Sequence, residues 1–194
     1  MSRLVVTNNV SLDGVMQSPA SPDEDRRDGF EHGGWAPPYV DSVMGEKMGE
    51  GIATGGSMLF GRRTYEKMAA FWPNQPEGNL FADVLNNRQK HVASTTLENP
   101  LPWRNSTVLE GDVPEAVARL KQQPGGDIAI LGSGELIRSL LPHGLIDAFV
   151  LSIHPLLLGR GRRLFADDGP YAELKLIDAT PTTTGVLIAT YEPV

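Results

Sequence analysis

The sequence predicts an α/β domain: a mostly parallel sheet of about eight strands, helices on both faces, and an antiparallel pair at the C-terminal edge. Three observations carry that expectation. Short apolar runs alternate with helix-spaced segments as far as about residue 150. Strand-like segments dominate afterwards, which puts antiparallel strands at one edge. The chain of 194 residues, 40% hydrophobic and 21% charged, has the size and composition of one globular domain, spanning residues 1–194, with its own core.

The elements follow in order. Leu4, Val5 and Val6 read as a first strand. Residues 14–38 are polar and broken by Pro and Gly, yet carry Phe30 and Trp35. A stretch this long without periodicity is functional or disordered, and the aromatic pair favours a loop that covers a site. Val40, Val43, Met44 and Met48 recur at helical spacing, so residues 39–50 read as an amphipathic helix, ended by Gly49, Gly51, Gly55 and Gly56. Residues 57–60 form a short buried strand, and residues 64–70 a helix that stops before Trp72-Pro73. Leu80, Phe81, Val84 and Leu85 mark another short helix, and residues 91–95 and 106–110 two strands. Asp112-Val113-Pro114-Glu115 combines a capping side chain, a first-turn proline and an acid three residues after the cap, so a helix starts there. Residues 127–131 make a strand that runs into "GSGELIRSLL", a glycine turn and a helix. Residues 146–153 form a long strand, and residues 173–179 and 185–191 the terminal pair.

Composition narrows the function. The net charge is -7, with 24 acidic and 17 basic residues, so the surface as a whole repels nucleic acid and anionic membranes. The chain has no cysteine, which removes disulfides, thiolate zinc sites and a cysteine nucleophile, and fits a cytoplasmic protein. His32, His91, His143 and His154 lack metal-ligand spacing, so no metal is expected. No apolar run has the length of a membrane span, and "MSRLVVTNNV" is too polar for a secretory signal.

In a parallel sheet, ligands bind beyond the carboxyl ends of the strands. Three strand ends here carry anion-binding chemistry: Gly61-Arg62-Arg63-Thr64, Ser94-Thr95-Thr96 and Gly132-Ser133-Gly134-Glu135. Helix starts offer free N–H groups, glycine admits a phosphate to the backbone, hydroxyls donate, and arginine forks onto phosphate oxygens. Taken singly, each has a plainer reading: a solvated arginine pair, a strand end with turn chemistry, a tight turn. Together they suit an elongated ligand with several phosphates. GxxxxGK[ST] is absent, which argues against phosphate-ester chemistry on the same turns.

The segments "VSLDGVM", "LFGRRTYEKM", "ILGSGELIRSLL" and "SIHPLLLGRGRRLF" resemble, in combination, the dihydrofolate reductase superfamily, in the branch related to the reductase domain of riboflavin biosynthesis. The resemblance covers nearly the whole chain. It implies a dihydrofolate reductase-like fold and an NADPH-dependent reductase that passes a hydride to a small heterocyclic (pterin or aminouracil-like) or carbonyl acceptor. It also implies a homodimer through the late strands. By the same resemblance, Gly61, Arg62, Arg63 and Thr64 hold the 2′-phosphate and pyrophosphate. Ser94 and Thr95 border the adenine end. Gly132, Ser133, Gly134, Glu135 and Leu136 line the pyrophosphate and nicotinamide ribose, and Thr7 flanks the nicotinamide.

The substrate does not carry over. The riboflavin branch has an Asp-Asp-Pro segment where this chain reads "AFWPNQPEG", and an acidic residue where it has Leu131. The family's adjacent glycines are replaced by Gly132-Ser133. Candidates for the proton donor are Asp13, Asp41 and Glu46, or water; the last two carboxylates could also hold a substrate as a folate reductase's first helix does. Trp35 and Trp72 could give flat faces to a planar substrate. Asp13 equally suits a turn, Asp41 a helix start and Trp72 a core. Arg160, Arg162 and Arg163 read as a solvated loop, or as partners for an anionic group or a second subunit. A second function class is an NADPH-binding sensor without turnover.

Overall fold

The computed structural model describes residues 1–165 and 167–194. Its strands are β1 (Leu4–Ser11), β2 (Gly55–Gly61), β3 (Lys90–Ala93), β4 (Ser106–Val108), β5 (Asp127–Leu131), β6 (Ala148–His154), β7 (Leu174–Pro181) and β8 (Leu187–Pro193). The helices are α1 (Ser42–Thr54), α2 (Arg62–Phe71), α3 (Leu80–Asn87), α4 (Val113–Lys121) and α5 (Gly134–Leu140). The eight strands form one sheet in the order β4-β3-β2-β5-β1-β6-β8-β7. Pairings from β4 to β6 are parallel, and β6-β8 and β8-β7 are antiparallel.

Alternation along the strands sorts the core into two faces. Leu4, Val6 and Val10 of β1, Leu59 of β2, Ile128 and Ile130 of β5, and Phe149 and Leu151 of β6 pack under Val117 and Leu120 of α4 and Leu136, Ile137 and Leu140 of α5. On the opposite face, Met58 and Phe60 of β2 and Val92 of β3 meet Tyr65 of α2 and Leu85 of α3 around Trp103. Met44 of α1 packs further along that face, against Val150, Val186 and Ile188. So α1 covers the β6–β8 side and α2 the β2–β3 side.

Most boundaries shift by one to three residues, and three of the differences have a clear cause. β1 continues through Asn8 and Asn9 to Ser11, because polar partners await both: Asn8 Nδ2 lies 3.5 Å from the Gly132 carbonyl and Asn9 Oδ1 2.9 Å from His154 Nε2. The first long helix begins at Ser42, capped by Asp41, after a separate 3₁₀ turn at Pro37–Tyr39, and it runs through Gly49 and Gly51. β3 stops at Ala93, which leaves Ser94 and Thr95 in the following turn. The cap at Asp112 forms as expected, accepting from Glu115 N.

Lys90 is fully buried at the start of β3. Its Nζ donates to the carbonyls of Leu85, Asn86 and Arg88 at 2.8, 3.2 and 2.6 Å, and lies 4.4 Å from the centroid of the Trp103 ring. It thereby satisfies carbonyls that the end of α3 leaves without helical partners. Burial, followed by the nearby Arg104, pushes its pKa down to about 8.

Candidate functional site: a trough at the carboxyl ends of the central strands

Because α1 and α2 sit to either side, the middle of their face is only partly covered. Val5, Thr7 and Asn9 of β1, Ala129 and Leu131 of β5, and Val150 and Ser152 of β6 are each half-buried, while their opposite-face neighbours are buried. These residues form a half-buried strip between the two helices, which we take as the floor of a candidate trough. Thr7 pairs with Leu131 on one side and Val150 on the other, in the middle of that floor.

The rim of the trough is where the glycine turns meet. β2 lies between β3 and β5, and Gly61 is in register with Ala93. Ser133 adopts a left-handed conformation (φ 57°), and its Oγ accepts from Gly61 N at 3.0 Å. Gly132 also has positive φ, and a Cβ there would meet Thr64 Cγ2 at 3.4 Å. Gly61, Thr64, Gly132 and Ser133 are thus brought together, with Arg62 and Arg63 at the start of α2 beside them. Gly134 is covered on its other side by Met16: a Cβ on Gly134 would lie 2.5 Å from Met16 Sδ. Ser94 stands at the neighbouring strand end, but its Oγ accepts from Thr96 N and Leu97 N at 3.1 and 3.0 Å; Thr95 is exposed.

Glu135 forms a charged node that the sequence did not announce. Its Oε1 is approached by Nη1 of Arg27, Arg63 and Arg162 at 3.4, 3.3 and 3.2 Å. The three arginines come from the loop after β1, from α2 and from the segment after β6. Arg162 Nη2 also pairs with Asp28 at 2.9 Å, and its buried Nε has no partner among the described residues. Arg27 is held by Asp25, whose pKa that guanidinium's hydrogen bonds lower to about 2 against the opposing effect of burial. Arg62 pairs along its own helix with Glu66 at 3.1 Å. The three loop arginines have separate fates: Arg160 is exposed, Arg162 joins the node, and Arg163 Nε donates to the Asp13 carbonyl at 2.9 Å.

Several expectations are corrected. Asp13 clamps a turn: its carboxylate accepts from the Ser11 hydroxyl, from Leu158 N at 3.1 Å and from Gly159 N at 2.7 Å. Burial alone would raise its pKa, but the Ser11 hydroxyl and those two N–H groups outweigh it and the net shift is downward. Asp41 caps α1 through Met44 N and takes Thr183 N and Oγ1 at 2.7 Å each, which ties α1 to the β7–β8 turn. The Met44 N–H first, then the Thr183 hydroxyl, lower its pKa. Both carboxylates are therefore ionised and engaged, and neither is placed to give up a proton. Glu46 is exposed on α1, away from its packed side at Met44. Trp35 is buried with Val15, Phe30 and Ala36, and its Nε1 donates to the Gln17 carbonyl at 2.8 Å, so its face is not available to a ligand. Trp72 packs at the end of α2, with its carbonyl accepting from Asn86 at 3.2 Å, towards the amino ends of the strands. Leu136 is core, so only its backbone could reach a ligand.

Two residues not named as site candidates from the sequence, Asn9 and His154, meet beside the trough floor. His154 is fully buried, with Nε2 2.9 Å from Asn9 Oδ1 and with Trp35 and Tyr39 edge-on at 5.0 and 5.5 Å between ring centroids. Its period-2 alternation with Val150 and Ser152 was the available signal. A separate open concavity of about 510 Å³ lies at the amino ends of the strands, lined by Gly55, Gly56, Asp83, Val84, Asn87, Arg88 and Gln89. Among the described residues, no group of three His, Asp or Glu side chains could hold a metal, and no helix is long and apolar enough to cross a membrane.

The comparisons with known proteins agree with this architecture. The uncharacterized protein YyaP of Bacillus subtilis (strain 168) is 30% identical over 141 residues, covering 70% of this chain and 72% of that protein. A putative riboflavin biosynthesis protein from Shewanella sp. PV-4 superposes with a TM-score of 0.68 at 20% identity, covering 100% of this chain and 99% of the other. Dihydrofolate reductase from Enterococcus faecalis, complexed with NADP(H), gives a TM-score of 0.61 at 15% identity, covering 98% and 96%. A profile of the RibD C-terminal domain matches residues 3–188. The chain has a dihydrofolate reductase-like fold and belongs to the RibD C-terminal domain family.

Proposed function

We propose that this protein is an NADPH-dependent reductase that transfers a hydride to a small heterocyclic, pterin or aminouracil-like, or carbonyl acceptor. The observation that carries the reading is the bridge from Gly61 N to Ser133 Oγ at 3.0 Å, which sets Arg62, Arg63 and Thr64 beside the Gly132 turn. The residues present fit the cofactor. Gly132, with positive φ, brings its backbone against the Thr64 side chain, and the guanidinium-bearing side chains of Arg62 and Arg63 are 40% and 50% exposed. Arg62, Arg63 and Thr64 would hold the phosphates, and their charge selects the extra dianion of NADPH over NADH. When bound, the reduced nicotinamide supplies the hydride.

The chain's own part is to bind and orient. Thr7 and Leu131 floor the trough where the ring and acceptor would meet. The 14–38 loop, docked through Trp35 and the Glu135 node, closes one side. With Asp13 and Asp41 both engaged, water entering the trough is the proton source in this reading. That the floor carries no carboxylate favours one second reading, a protein that binds NADPH as a sensor and does not turn over. We also assign a homodimer through β7, whose residues 174–179 are all exposed and include Leu174, Leu176 and Ile177.

Thermal melting tests the cofactor assignment. At a hundredfold excess over its Kd, NADPH should stabilise the fold by about 2.7 kcal/mol, with a much smaller shift from NADH. Equal shifts, or none, would remove the phosphate-clamp reading. Oxidation of NADPH by any member of a pterin, aminouracil, quinone and aldehyde panel separates the reductase from the sensor.

A further inference from the structure

His154 and Asn9 form a pair whose hydrogen-bond bookkeeping does not close within the protein. The imidazole is fully buried, and its Nδ1 has no partner among the described residues. Its other nitrogen, Nε2, lies 2.9 Å from Asn9 Oδ1. A neutral imidazole has one N–H, and the acceptor available to it is that amide oxygen, so the proton belongs on Nε2. Burial lowers the pKa of the ring to about 4, which keeps it neutral at physiological pH. Trp35 and Tyr39 stand edge-on to the ring and fix its plane.

This arrangement orients Asn9. Once Oδ1 accepts from His154, the amide cannot rotate by half a turn without setting two donors against each other. The Nδ2 donors then point away from the histidine. They have no partner among the described residues, and Nδ2 is not among the buried unpaired atoms. Asn9 lies on the half-open floor of the trough, two residues beyond Thr7 on the same face of β1.

We infer that Asn9 reads the substrate, its side-chain NH₂ donating to a ring carbonyl or ring nitrogen of the bound acceptor, and that His154 is the positioning residue that aims it. The inference rests on the reading of the trough as the acceptor site. It narrows the substrate class to molecules that present a hydrogen-bond acceptor on a planar ring, and it places that acceptor towards the His154 end of the trough.

Nitrogen-15 NMR of the full chain, with and without NADPH, tests both halves. Probes are 6-aminouracil, pterin and menadione, each with a ring carbonyl. His154 should show the Nε2–H tautomer, unchanged between pH 8 and about pH 5.5. The Asn9 side-chain NH₂ signals should move with at least one probe. Asn9→Asp keeps the oxygen facing His154 but loses the donor; it should weaken that probe by about tenfold or more and leave NADPH affinity within about twofold. An Nδ1–H tautomer, Asn9 signals silent to all three probes, or an Asp variant that binds as well as the parent overturns the assignment. If the Asn9 signals respond while NADPH does not bind, the cofactor reading falls and the Asn9 assignment stands. If NADPH binds and the Asn9 signals stay silent, the reverse holds.

Discussion

Lys90 and His154 are buried ionisable side chains that the fold accommodates in opposite ways. Lys90 meets three carbonyls and an aromatic face, so removing its ammonium leaves the end of α3 unpaired inside the protein. Lys90→Met should cost about 3 kcal/mol in denaturant-induced unfolding, with little effect on ligand binding at the far ends of the strands. His154 is instead kept neutral. Its folded pKa of about 4 lies below the ordinary 6.5, so as pH falls through that window the unfolded chain takes up a proton that the fold refuses. Stability is therefore full above pH 6.5 and should drop by about 2 kcal/mol by pH 5, levelling off below about pH 4 for this group. Denaturation midpoints at pH 7 and pH 5 measure the drop, and His154→Phe should flatten it.

Between elements, Glu135 acts as a knot. Three segments far apart in sequence place guanidinium groups on one carboxylate oxygen. Each exposed pair is worth at most about 1 kcal/mol, so the knot contributes position more than stability. Glu135→Gln should speed hydrogen exchange in the 17–36 loop. It should also tighten NADPH binding about threefold at low salt by freeing Arg63 and Arg162, a gain that fades as salt screens the arginines. Unchanged exchange together with weaker binding would show that the carboxylate instead holds the arginines in place for the ligand. The strands and helices could be read from the chain because each is a local pattern: the Asp112 cap, the apolar run of residues 127–131 and the stripe of α4 all lie within one element. The glycine and arginine edge was legible for the same reason. The knot and the Asn9–His154 pair were not, because they join residues 27 to 145 positions apart on different elements, and no local spacing encodes that. For Asp13 and Asp41 the sequence left a turn or helix-start role beside a proton-donor role, because a carboxylate that caps or clamps has the same letter as one that donates; the structure shows the clamp and the cap.

For the whole molecule, charge and edges set the behaviour. A chain of net charge -7 gathers Arg27, Arg62, Arg63 and Arg162 at one rim, where each is paired with Asp25, Glu66, Glu135 or Asp28, so in the proposed function a phosphate-bearing ligand would compete with those carboxylates for them. At the other side of the sheet, β7 has one unpaired edge and exposes Leu174 (38%), Leu176 (51%) and Ile177 (48%). A bare apolar edge strand invites pairing, and in the proposed homodimer a second copy of the same strand would supply it. Light scattering after size exclusion should give twice the 21.0 kDa of one chain, and Leu176→Glu with Ile177→Lys should return the single-chain mass. A parent protein already at 21.0 kDa at micromolar concentration removes the dimer.

The small cluster of Val15, Phe30, Trp35 and Ala36, packed on Leu156 and Leu158, has one more use. An indole locked in a dry pocket, with its N–H on the Gln17 carbonyl, emits at shorter wavelength than one in water. Replacing Trp72 and Trp103 with phenylalanine would leave Trp35 as the sole tryptophan. A red shift of its emission would then report directly, without any label, any lifting of the loop.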